Sequence, residues 1–455
     1  MLVKPRELID REVEWRTLTR FVDRHQKLAV VYGPRRVGKS FLLEAVCRAA
    51  GGRRYQAITG TPAAQLADFG RTLGEWLGAG PLQLSGWADA LDRLARVDAA
   101  VVVIDELPYL TEASAELTGI LQRHVDAGAG PPLVLAGSSL STMSGLVSSQ
   151  APLYGRSAAI VVPAPFSGRD LADLWQIDSG VDPAVALWVD AAVGGLPGYR
   201  PLLVPPSGDL DRWMVDEVLA PASPLLDAAE AALADTAPQV NRGVYRTILA
   251  AIAAGHRSFS TIARVAGQPT GSLTRPLAAL ERAGLVVRVP DVLRSRRDTY
   301  DLADPHLRTW LAIISPHRSA LQAGRGEEVW SGVRDTTWRT QVLGPRWEAV
   351  ARRHLAGPGS GLGPVDAVGM TTVADRTLRA SHEVDIVAVR EGDVVAVGEA
   401  KLRPLGRSDL DRLRRIRDLL GAPEARLVLA SAAGVDAEAA GQDDVITVLP
   451  GDAYG

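Results

Sequence analysis

A short glycine-containing segment carries the clearest chemistry in this sequence. Residues 33–40 read GPRRVGKS, which matches the pattern G-x-x-x-x-G-K-[ST]. A hydrophobic run of strand composition precedes the segment, and an apolar helical pattern follows it. The glycines let backbone N–H groups turn toward a polyphosphate, and the start of a helix offers the positive end of its dipole. The segment therefore predicts a phosphate-binding loop.

Individual residues of this loop have predicted roles. Lys39 is expected to reach the β- and γ-phosphates of a nucleotide, and the Ser40 hydroxyl is expected to ligate Mg²⁺. The chain has only four lysines among its 50 basic residues, so a lysine at this position is hard to attribute to chance. The residues predicted to contact the nucleotide here are Gly33, Pro34, Arg35, Arg36, Val37, Gly38, Lys39, Ser40 and Phe41.

Two acidic residues follow a continuous apolar run at residues 99–104 (AAVVVI). Such a run is typical of a parallel strand that is buried on both faces, and ligands of α/β sheets lie at the carboxyl ends of such strands. We expect Asp105 to hold Mg²⁺, directly or through water. We expect Glu106 to polarise the water that attacks the γ-phosphate.

A second buried strand, residues 132–137, ends in serine hydroxyls. In a sheet with a phosphate loop this end lies near the γ-phosphate, so Ser138 or Ser139 could sense it, and Ser138 is our candidate catalytic hydroxyl. The alternative is structural, with Ser139 or Ser141 as the N-cap of a following helix. The sequence leaves both assignments open.

Length, charge and hydropathy restrict the class of protein. A chain of 455 residues is too long for one hydrophobic core and indicates several domains. A net charge of −3 argues against a general polyanion binder, so any contact with nucleic acid requires a local basic patch. The sequence shows neither an N-terminal signal segment nor a run of 18 apolar residues. We therefore expect a cytoplasmic protein without a membrane partner.

Residues 240–303 predict three helices and a two-stranded hairpin, which is the order of a winged helix-turn-helix. Residues 272–282 take the position of the recognition helix. Binding to DNA and binding to another protein remain equally open for this module. The basic residues that could contact DNA phosphates are Arg275, Arg282, Arg294, Arg296 and Arg297.

Two further strand-like runs, residues 383–389 and 394–401, predict a hairpin near the C-terminus. With residues 391–393 as its loop and Arg390 paired with Val394, Asp385 lies opposite Glu399 and Lys401 shares their face. Adjacent carboxylates favour a bound divalent cation. The alternative is a salt-bridged hairpin edge without a metal.

Residues 8–200 resemble the archaeal-type ATPase family, which is close to the AAA+ and STAND nucleoside triphosphatases. By this resemblance Arg11, Glu12 and Pro197 lie near the nucleotide, and Arg156 contacts the γ-phosphate or a neighbouring subunit. Asp10 stands where the family usually has glycine. The matching segments are Arg11-Glu12, the phosphate loop, Asp105-Glu106, Gly137-Ser138-Ser139, Tyr154-Gly155-Arg156 and Gly195-Leu196-Pro197.

Residues 301–403 resemble the domain of unknown function, with a restriction-endonuclease-like core, that is often fused to these ATPases. The matching segments are residues 300–305, Trp347-Glu348, residues 383–386 and residues 398–401, and the last two contain the spacing D-x13-E-x-K from Asp385 to Lys401. It implies that Asp385 and Glu399 hold Mg²⁺, that Glu348 adds a carboxylate from a helix, and that Lys401 positions or deprotonates water.

The expected fold is α/β: a P-loop NTPase parallel sheet with a helical lid, a winged helix-turn-helix, and a C-terminal α/β restriction-endonuclease-like domain. The expected domains are 1–165 for the ATPase core, 166–238 for the lid and linker, 239–315 for the winged helix, and 316–455 for the endonuclease-like domain.

The expected function is that of an Mg²⁺-dependent ATPase. Its nucleotide state would control a C-terminal module that binds DNA or has a nuclease-like site. ATP and Mg²⁺ are the expected cofactors, DNA is a candidate partner, and oligomers are compatible with the sequence. One alternative is a STAND-like ATP switch that acts through protein contacts without nuclease activity. Another makes the nuclease primary and the ATPase its gate.

Overall fold

The protein consists of two compact units, Met1–Pro165 and Phe166–Gly455. The computed structural model describes residues 2–177, 182–206, 208–236, 242–294 and 297–455. No helix among these residues is long and apolar enough to cross a lipid bilayer. The further division of the second unit into lid, winged helix and endonuclease-like domain stays a prediction.

A five-stranded parallel sheet forms the centre of the first unit, with the strand order β2-β3-β4-β1-β5. This is a P-loop NTPase fold, as predicted. The strands are β1 (Leu28–Tyr32), β2 (Arg53–Gln56), β3 (Val102–Asp105), β4 (Leu133–Gly137) and β5 (Ala159–Val161).

Helices cover both faces of this sheet, which explains why its central strands are apolar throughout. Leu28 and Val30 of β1 face one hydrophobic core, whereas Ala29 and Val31 face a second core on the opposite side. The helices are α1 (Glu12–Asp23), α2 (Lys39–Ala50), α3 (Pro62–Leu77), α4 (Trp87–Leu94), α5 (Leu107–Ala113), α6 (Leu117–Ala127) and α7 (Leu140–Leu146).

The second unit begins with helices, followed by three helices and a hairpin in the predicted order. The antiparallel hairpin pairs Val286 with Leu302. The elements of the second unit from its start to the end of this hairpin are α8 (Arg169–Leu174), α9 (Ala184–Ala192), the 3₁₀ helix Pro197–Leu202, α10 (Leu210–Trp213), the π-helix Met214–Val218, α11 (Leu225–Thr236), α12 (Arg242–Ala253), α13 (Phe259–Val265), the 3₁₀ helix Thr270–Ser272, α14 (Thr274–Arg282), β6 (Val286–Val289) and β7 (Thr299–Leu302).

A second group of helices connects the hairpin to the C-terminal sheet. Trp330 and Trp338 of this group and Trp188 of α9 pack edge-on or tilted against one another, with ring centroids 5.4–6.1 Å apart. The helices are α15 (Pro305–Thr309), the π-helix Trp310–Ile314, α16 (Ser315–Gln322), α17 (Gly326–Val333), the π-helix Arg334–Leu343 and α18 (Gly344–Ala356).

The C-terminal sheet is mixed and has five strands in the order β12-β11-β10-β9-β8. The three strands from β8 to β10 are antiparallel, and β10, β11 and β12 run parallel. The elements are β8 (Ala367–Asp375), β9 (Ala380–Arg390), β10 (Asp393–Lys401), α19 (Arg407–Leu419), β11 (Arg426–Ser431), α20 (Ala437–Ala440), β12 (Val445–Val448) and α21 (Pro450–Tyr454).

The predicted loop between β9 and β10 was wrong by one residue. Arg390 pairs with Asp393, so Glu391 and Gly392 form a two-residue turn, and both have positive φ angles (53° and 89°). A bulge between Val394 and Ala396 then inserts one residue into β10. Because the bulge compensates for the shorter turn, the pairing farther from the turn follows the predicted register.

The β6–β7 hairpin packs on the C-terminal sheet through its connecting loop. Asp291 forms a bridge with Met370 of β8, and its carboxylate accepts a hydrogen bond of 2.8 Å from the Thr371 hydroxyl. Val292 and Leu293 pack against the hydrophobic core of that sheet. The loop that we predicted to face DNA is therefore partly used for packing within the second unit.

We predict that Gly398→Ala destabilises the second unit, because a Cβ atom there would lie 2.5 Å from Val428 Cβ and 2.7 Å from Val428 O. Overpacking of this kind costs about 1–3 kcal/mol. Thermal or urea unfolding of the full chain measures the effect. Gly332→Ala is the control, because a Cβ atom there meets nothing within 4 Å and alanine favours helix α17. Equal stability of Gly398→Ala and the parent would contradict the close approach of β10 and β11.

Candidate functional site

The phosphate-binding loop connects the end of β1 to the start of α2. Arg36 and Gly38 have φ angles of 66° and 92°, in the left-handed region that favours glycine. These two turns bring the chain round so that helix α2 begins at Lys39. The positive end of the α2 dipole therefore lies at the loop, as an anion-binding site requires.

Lys39 is folded into the loop and is only 4% exposed. Its ammonium donates hydrogen bonds of 2.9 Å to the carbonyl oxygens of Gly33 and Pro34. Burial lowers the pKa of Lys39 to about 8, although the charges of Glu106 and Asp105 oppose the shift. Phosphate oxygens could replace these carbonyl acceptors and would supply the negative charge that the buried ammonium lacks.

Ser40 and Asp105 form the second part of the site. The Ser40 hydroxyl donates a hydrogen bond of 2.7 Å to Asp105 Oδ2, and Asp105 is 0% exposed. Parallel β1 and β3 end at the same edge of the sheet, which brings the two residues together although 65 positions separate them. A hydroxyl and a carboxylate oxygen at this distance fit Mg²⁺, which prefers hard oxygen ligands.

Arg54 also binds Asp105, and no motif in the sequence indicated this. Its Nη2 and Nε atoms lie 2.8 Å and 3.3 Å from Asp105 Oδ2. Arg54 lies on β2, which pairs directly with β3. A charged residue inside a strand next to the acidic strand end was the only available sign of this contact. The interaction compensates the buried charge of Asp105.

Glu106 begins helix α5 with a φ angle of 54°, a conformation that few residues other than glycine adopt. Its Oε1 atom accepts a hydrogen bond of 2.7 Å from the Ser138 hydroxyl, and its Oε2 atom accepts one of 3.2 Å from the Ser138 N–H. Ser139 caps helix α7 by accepting a bond from the Thr142 N–H. Ser139 therefore has the structural role of an N-cap, and the predicted role of Ser138 at the γ-phosphate stays a prediction.

Arg11 lies against the loop and is 4% exposed. It donates a hydrogen bond of 3.0 Å to the carbonyl oxygen of Val37. Asp10 and Arg11 have φ angles of 49° and 68°. The left-handed backbone at Asp10 explains why the resembling family usually has glycine there. The structure places Arg11 at the loop backbone, and its predicted proximity to the base stays a prediction.

The other loop residues differ in their surroundings. Val37 is fully buried, whereas Phe41 is 56% exposed. Arg35 donates a hydrogen bond of 2.9 Å to the Tyr109 hydroxyl, and a Cβ atom at Gly33 would lie 3.3 Å from the carbonyl oxygen of Pro163. The remaining residue, Pro34, supplies one of the carbonyl acceptors of Lys39.

Arg156 lies at the wrong edge of the sheet to contact a nucleotide in its own loop, which corrects one of its two predicted roles. It precedes β5, which runs parallel to β1 from the pair Ala29–Ala159. The phosphate loop follows the far end of β1, about 16 Å away for a strand of this length. Two hydrogen bonds of 2.6 and 2.9 Å join Arg156 to the carboxylate of Asp126. Contact with a neighbouring subunit is the role that stays a prediction.

Pro197 belongs to the second unit, where it begins the 3₁₀ helix Pro197–Leu202. The preceding turn is tightly packed within that unit, because a Cβ atom at Gly195 would lie 1.8 Å from the carbonyl oxygen of Phe166. The assignment of Pro197 to the nucleotide site stays a prediction from the family resemblance.

Lys401 joins Asp385 and Glu399 in the second unit. Its ammonium lies 2.7 Å from Asp385 Oδ2 and 3.0 Å from Glu399 Oε1. Burial alone would lower the pKa of Lys401, but the two neighbouring carboxylates raise it above the usual value for lysine. The structure thus brings the D-x13-E-x-K residues together, and their role in metal binding and catalysis stays a prediction.

Three arginines outside the motif also bind these acids. Arg412 pairs with Glu399 Oε2, and Arg257 donates a hydrogen bond of 3.1 Å to Glu348 Oε2. Arg352 donates one of 2.7 Å to the carbonyl oxygen of Asp385. Burial raises the pKa of Glu348, and the charge of Asp385 adds to the shift while Arg257 opposes it.

A divalent cation could use only part of this carboxylate set. Among the described residues, Asp385 Oδ1 and Glu348 Oε1 accept no hydrogen bond, so these oxygens are available as ligands. Both oxygens of Glu399 are in ion pairs. The described part of the chain holds no group of three His, Cys, Asp or Glu side chains that could surround one ion.

The arginines predicted to contact DNA lie on two elements. Arg275 and Arg282 are exposed on helix α14. In the hairpin loop, Arg297 is exposed and Arg294 is half-buried. Arg296 lies outside the described residues.

Comparison with known proteins supports the fold of the chain. The Walker-type ATPase PABY2304 of Pyrococcus abyssi matches 68% of this chain and 98% of its own, with 23% identity and a TM-score of 0.51. The ORC2 protein of Aeropyrum pernix, in ADPNP–ADP complexes, matches 70% and 100%, with 15% identity and a TM-score of 0.42. The ORC1 protein of the same organism, in complex with DNA, matches 72% and 95%, with 16% identity and a TM-score of 0.37.

No protein-family model matches the sequence, and no curated protein is similar to it in sequence. The TM-score of 0.51 to the first of these structures shows similarity of fold. Together with the strand order and the loop after β1, it shows that this chain has the fold of a Walker-type P-loop NTPase.

Proposed function

We propose that the first unit binds ATP with Mg²⁺ and hydrolyses it. The observation that carries this proposal is the meeting of four groups at the carboxyl edge of the sheet. These are the Lys39 ammonium, the Ser40 hydroxyl bonded to Asp105, and the Glu106 carboxylate at the end of β3. The similarity of fold to a Walker-type ATPase supports the same reaction class.

Each residue has a role that follows from its position. Lys39 binds the β- and γ-phosphates and offsets their charge, while Ser40 and Asp105 orient Mg²⁺ and its waters. Bound Mg²⁺ neutralises the charge that develops on the transferred phosphoryl group. Glu106 orients the attacking water once its carboxylate leaves the Ser138 hydroxyl and N–H. Ser138 therefore holds the catalytic carboxylate before the reaction and releases it to the water.

The nucleotide state is further proposed to control the second unit, which would respond by binding DNA or another partner. The order of α12–α14 and the β6–β7 hairpin, which is the order expected of a winged helix, supports this assignment. The STAND-like alternative, in which the second unit contacts only proteins, is an outcome of the DNA-binding experiment below.

We predict opposite effects for two variants of the ATP site. Lys39→Ala should lose most ATP affinity, because it removes the charge that binds the β- and γ-phosphates. Glu106→Gln should bind ATP normally and hydrolyse it at least about 100-fold more slowly, because orientation of the attacking water is lost. Isothermal titration calorimetry and release of inorganic phosphate measure the two effects.

Glu112→Gln provides the control for the ATP site, because it makes the same chemical change on a neighbouring part of helix α5. Normal binding by Lys39→Ala would refute the phosphate-loop assignment. Normal hydrolysis by Glu106→Gln would require a different group to orient the water.

We predict that Arg275→Gln with Arg282→Gln weakens DNA binding equally across duplexes of different sequence. Each arginine that contacts a phosphate releases counterions on binding, so the dependence of log K on log salt concentration should become shallower by about 1.8. Fluorescence anisotropy over a salt series measures this slope.

Arg339→Gln is the matched control for DNA binding, because Arg339 is exposed in the same unit but lies outside the three helices and the hairpin. Adding Arg297→Gln tests whether the hairpin loop also contributes. If the dependence of log K on log salt concentration is unchanged by all three substitutions, the result would favour the STAND-like alternative, in which this module binds a protein.

Metal-dependent cleavage of nucleic acid is the second candidate function. The observation that favours it is the position of Lys401 between Asp385 and Glu399 on one face of the sheet. Asp385 Oδ1 and Glu348 Oε1 would hold the divalent cation, which would polarise a scissile phosphate. Release of Arg412 from Glu399 would add a third carboxylate.

We predict for this candidate that the chain nicks supercoiled DNA with Mn²⁺ and that Asp385→Asn removes the nicking, because a metal ligand is lost. ATP hydrolysis should be unchanged. Agarose gels of plasmid incubated with each protein measure the nicking. Asp411→Asn, on the exposed face of α19, makes the same change of charge as a control. Nicking that survives Asp385→Asn would exclude this site as its source.

A further inference from the structure

We propose that the second unit contains a binding pocket for a small phosphate-bearing ligand, separate from the phosphate loop. A cavity of about 230 Å³ lies between helix α18, the β6–β7 hairpin and the segment that follows β7. Four arginine side chains contribute to its wall, and Asp301 is the only acidic residue there. Those arginines are Arg308, Arg346, Arg352 and Arg353.

The position of these arginines follows from the helix. Residues 346 and 353 are seven positions apart, so Arg346 and Arg353 lie on the same face of α18, two turns apart. Ala349 lies between them on that face and its small side chain leaves the cavity open. Val287 and Val289 form an apolar wall across from the helix. The pocket is therefore apolar on one side and strongly basic on the other.

The acidic side chains near the cavity already form ion pairs or hydrogen bonds with other residues. Asp301 pairs with Arg308 and lies 3.8 Å from Arg257. Asp190 is fully buried and accepts hydrogen bonds from Arg346 at 2.6 Å and from the Tyr454 hydroxyl at 2.7 Å. Neither acid can neutralise the remaining positive charge, because each already has two partners.

One buried donor of this cavity still lacks an acceptor. The Nε atom of Arg346 is buried without a hydrogen-bond partner among the described residues. Arg353 lines the cavity from an exposed position, and no hydrogen bond or ion pair joins it to a described residue. Desolvation and the neighbouring charge of Arg346 lower the pKa of Arg353. An anion in the cavity would satisfy the Arg346 Nε atom and reduce the repulsion between these two cations.

Geometry and size point to phosphate. Guanidinium groups donate in planar forks that match the oxygens of phosphate, and several of them can bind one tetrahedral group. The cavity of about 230 Å³ is smaller than the roughly 300–1,000 Å³ of typical ligand pockets. It can hold inorganic phosphate or the phosphate end of a small metabolite, whereas a nucleic-acid duplex cannot enter it.

A bound phosphate would join two elements of the second unit. Arg346 and Arg353 belong to α18, and the opposite wall belongs to the hairpin that follows α14. The ligand would therefore hold the hairpin against α18, and the stability of the second unit would rise with the logarithm of the ligand concentration above the dissociation constant.

Calorimetric titration with inorganic phosphate tests the proposal in the full chain carrying Lys39→Ala, which silences the phosphate loop. Arg353→Gln should weaken phosphate binding at least tenfold, because it removes a charged donor. Ala349→Leu should weaken it as strongly by filling the cavity while it keeps every arginine. Arg339→Gln, an exposed arginine of the same unit, should leave it unchanged.

Two outcomes would overturn the pocket. One is the absence of phosphate binding in the Lys39→Ala chain, and the other is unchanged binding in either Arg353→Gln or Ala349→Leu. A second arm with glycerol 3-phosphate distinguishes a metabolite from free phosphate, because only the metabolite also contacts the apolar wall. With Lys39 present, Arg353→Gln should bind ATP normally. ATP binding therefore tests the ATP site independently of phosphate binding in this pocket.

Discussion

The buried carboxylate of Asp105 is the interaction on which the first unit depends. A charge removed from water is costly unless it is paired and hydrogen-bonded. Asp105 meets this requirement with the Ser40 hydroxyl, the Arg54 guanidinium and the N–H of Glu106. These bonds tie the phosphate loop, β2 and β3 together at one edge of the sheet. The position of the loop serine and the turn at Glu106 both follow from compensating this one charge.

The second unit also contains buried carboxylates whose charge is compensated by neighbouring cations. Glu348, Asp385 and Glu399 each have basic partners, and so do Asp190 and Asp301. At the cavity beside α18 the buried Nε atom of Arg346 has no acceptor among the described residues. An anion would satisfy this donor, whereas the two carboxylate oxygens near Lys401 that accept no hydrogen bond, Asp385 Oδ1 and Glu348 Oε1, would suit a cation. The two sites differ in the sign of the ligand that would complete them.

Local patterns in the sequence predicted the parts of the site that neighbouring residues determine. The loop at residues 33–40, the apolar strand before Asp105 and the register of Asp385 with Glu399 all depend on short segments. Arg54 could not be predicted, because its contact depends on which strand lies beside β3. The location of Arg156 depends on strand direction, which the local motif does not contain. The two-residue turn at Glu391 was missed because the bulge between Val394 and Ala396 restores the register.

Arg54 and Arg412 have a common consequence for the two sites. Each is a cation that occupies a carboxylate oxygen which bound Mg²⁺ would also attract. Asp105 is completely buried, so its charge requires a positive partner. In the proposed nucleotide site, the positive field of Mg²⁺ would meet this requirement if Arg54 moved away. Glu399 retains Lys401 if Arg412 leaves, so its charge also stays compensated. In both places the protein's own cations stabilise the carboxylates that are proposed to bind Mg²⁺.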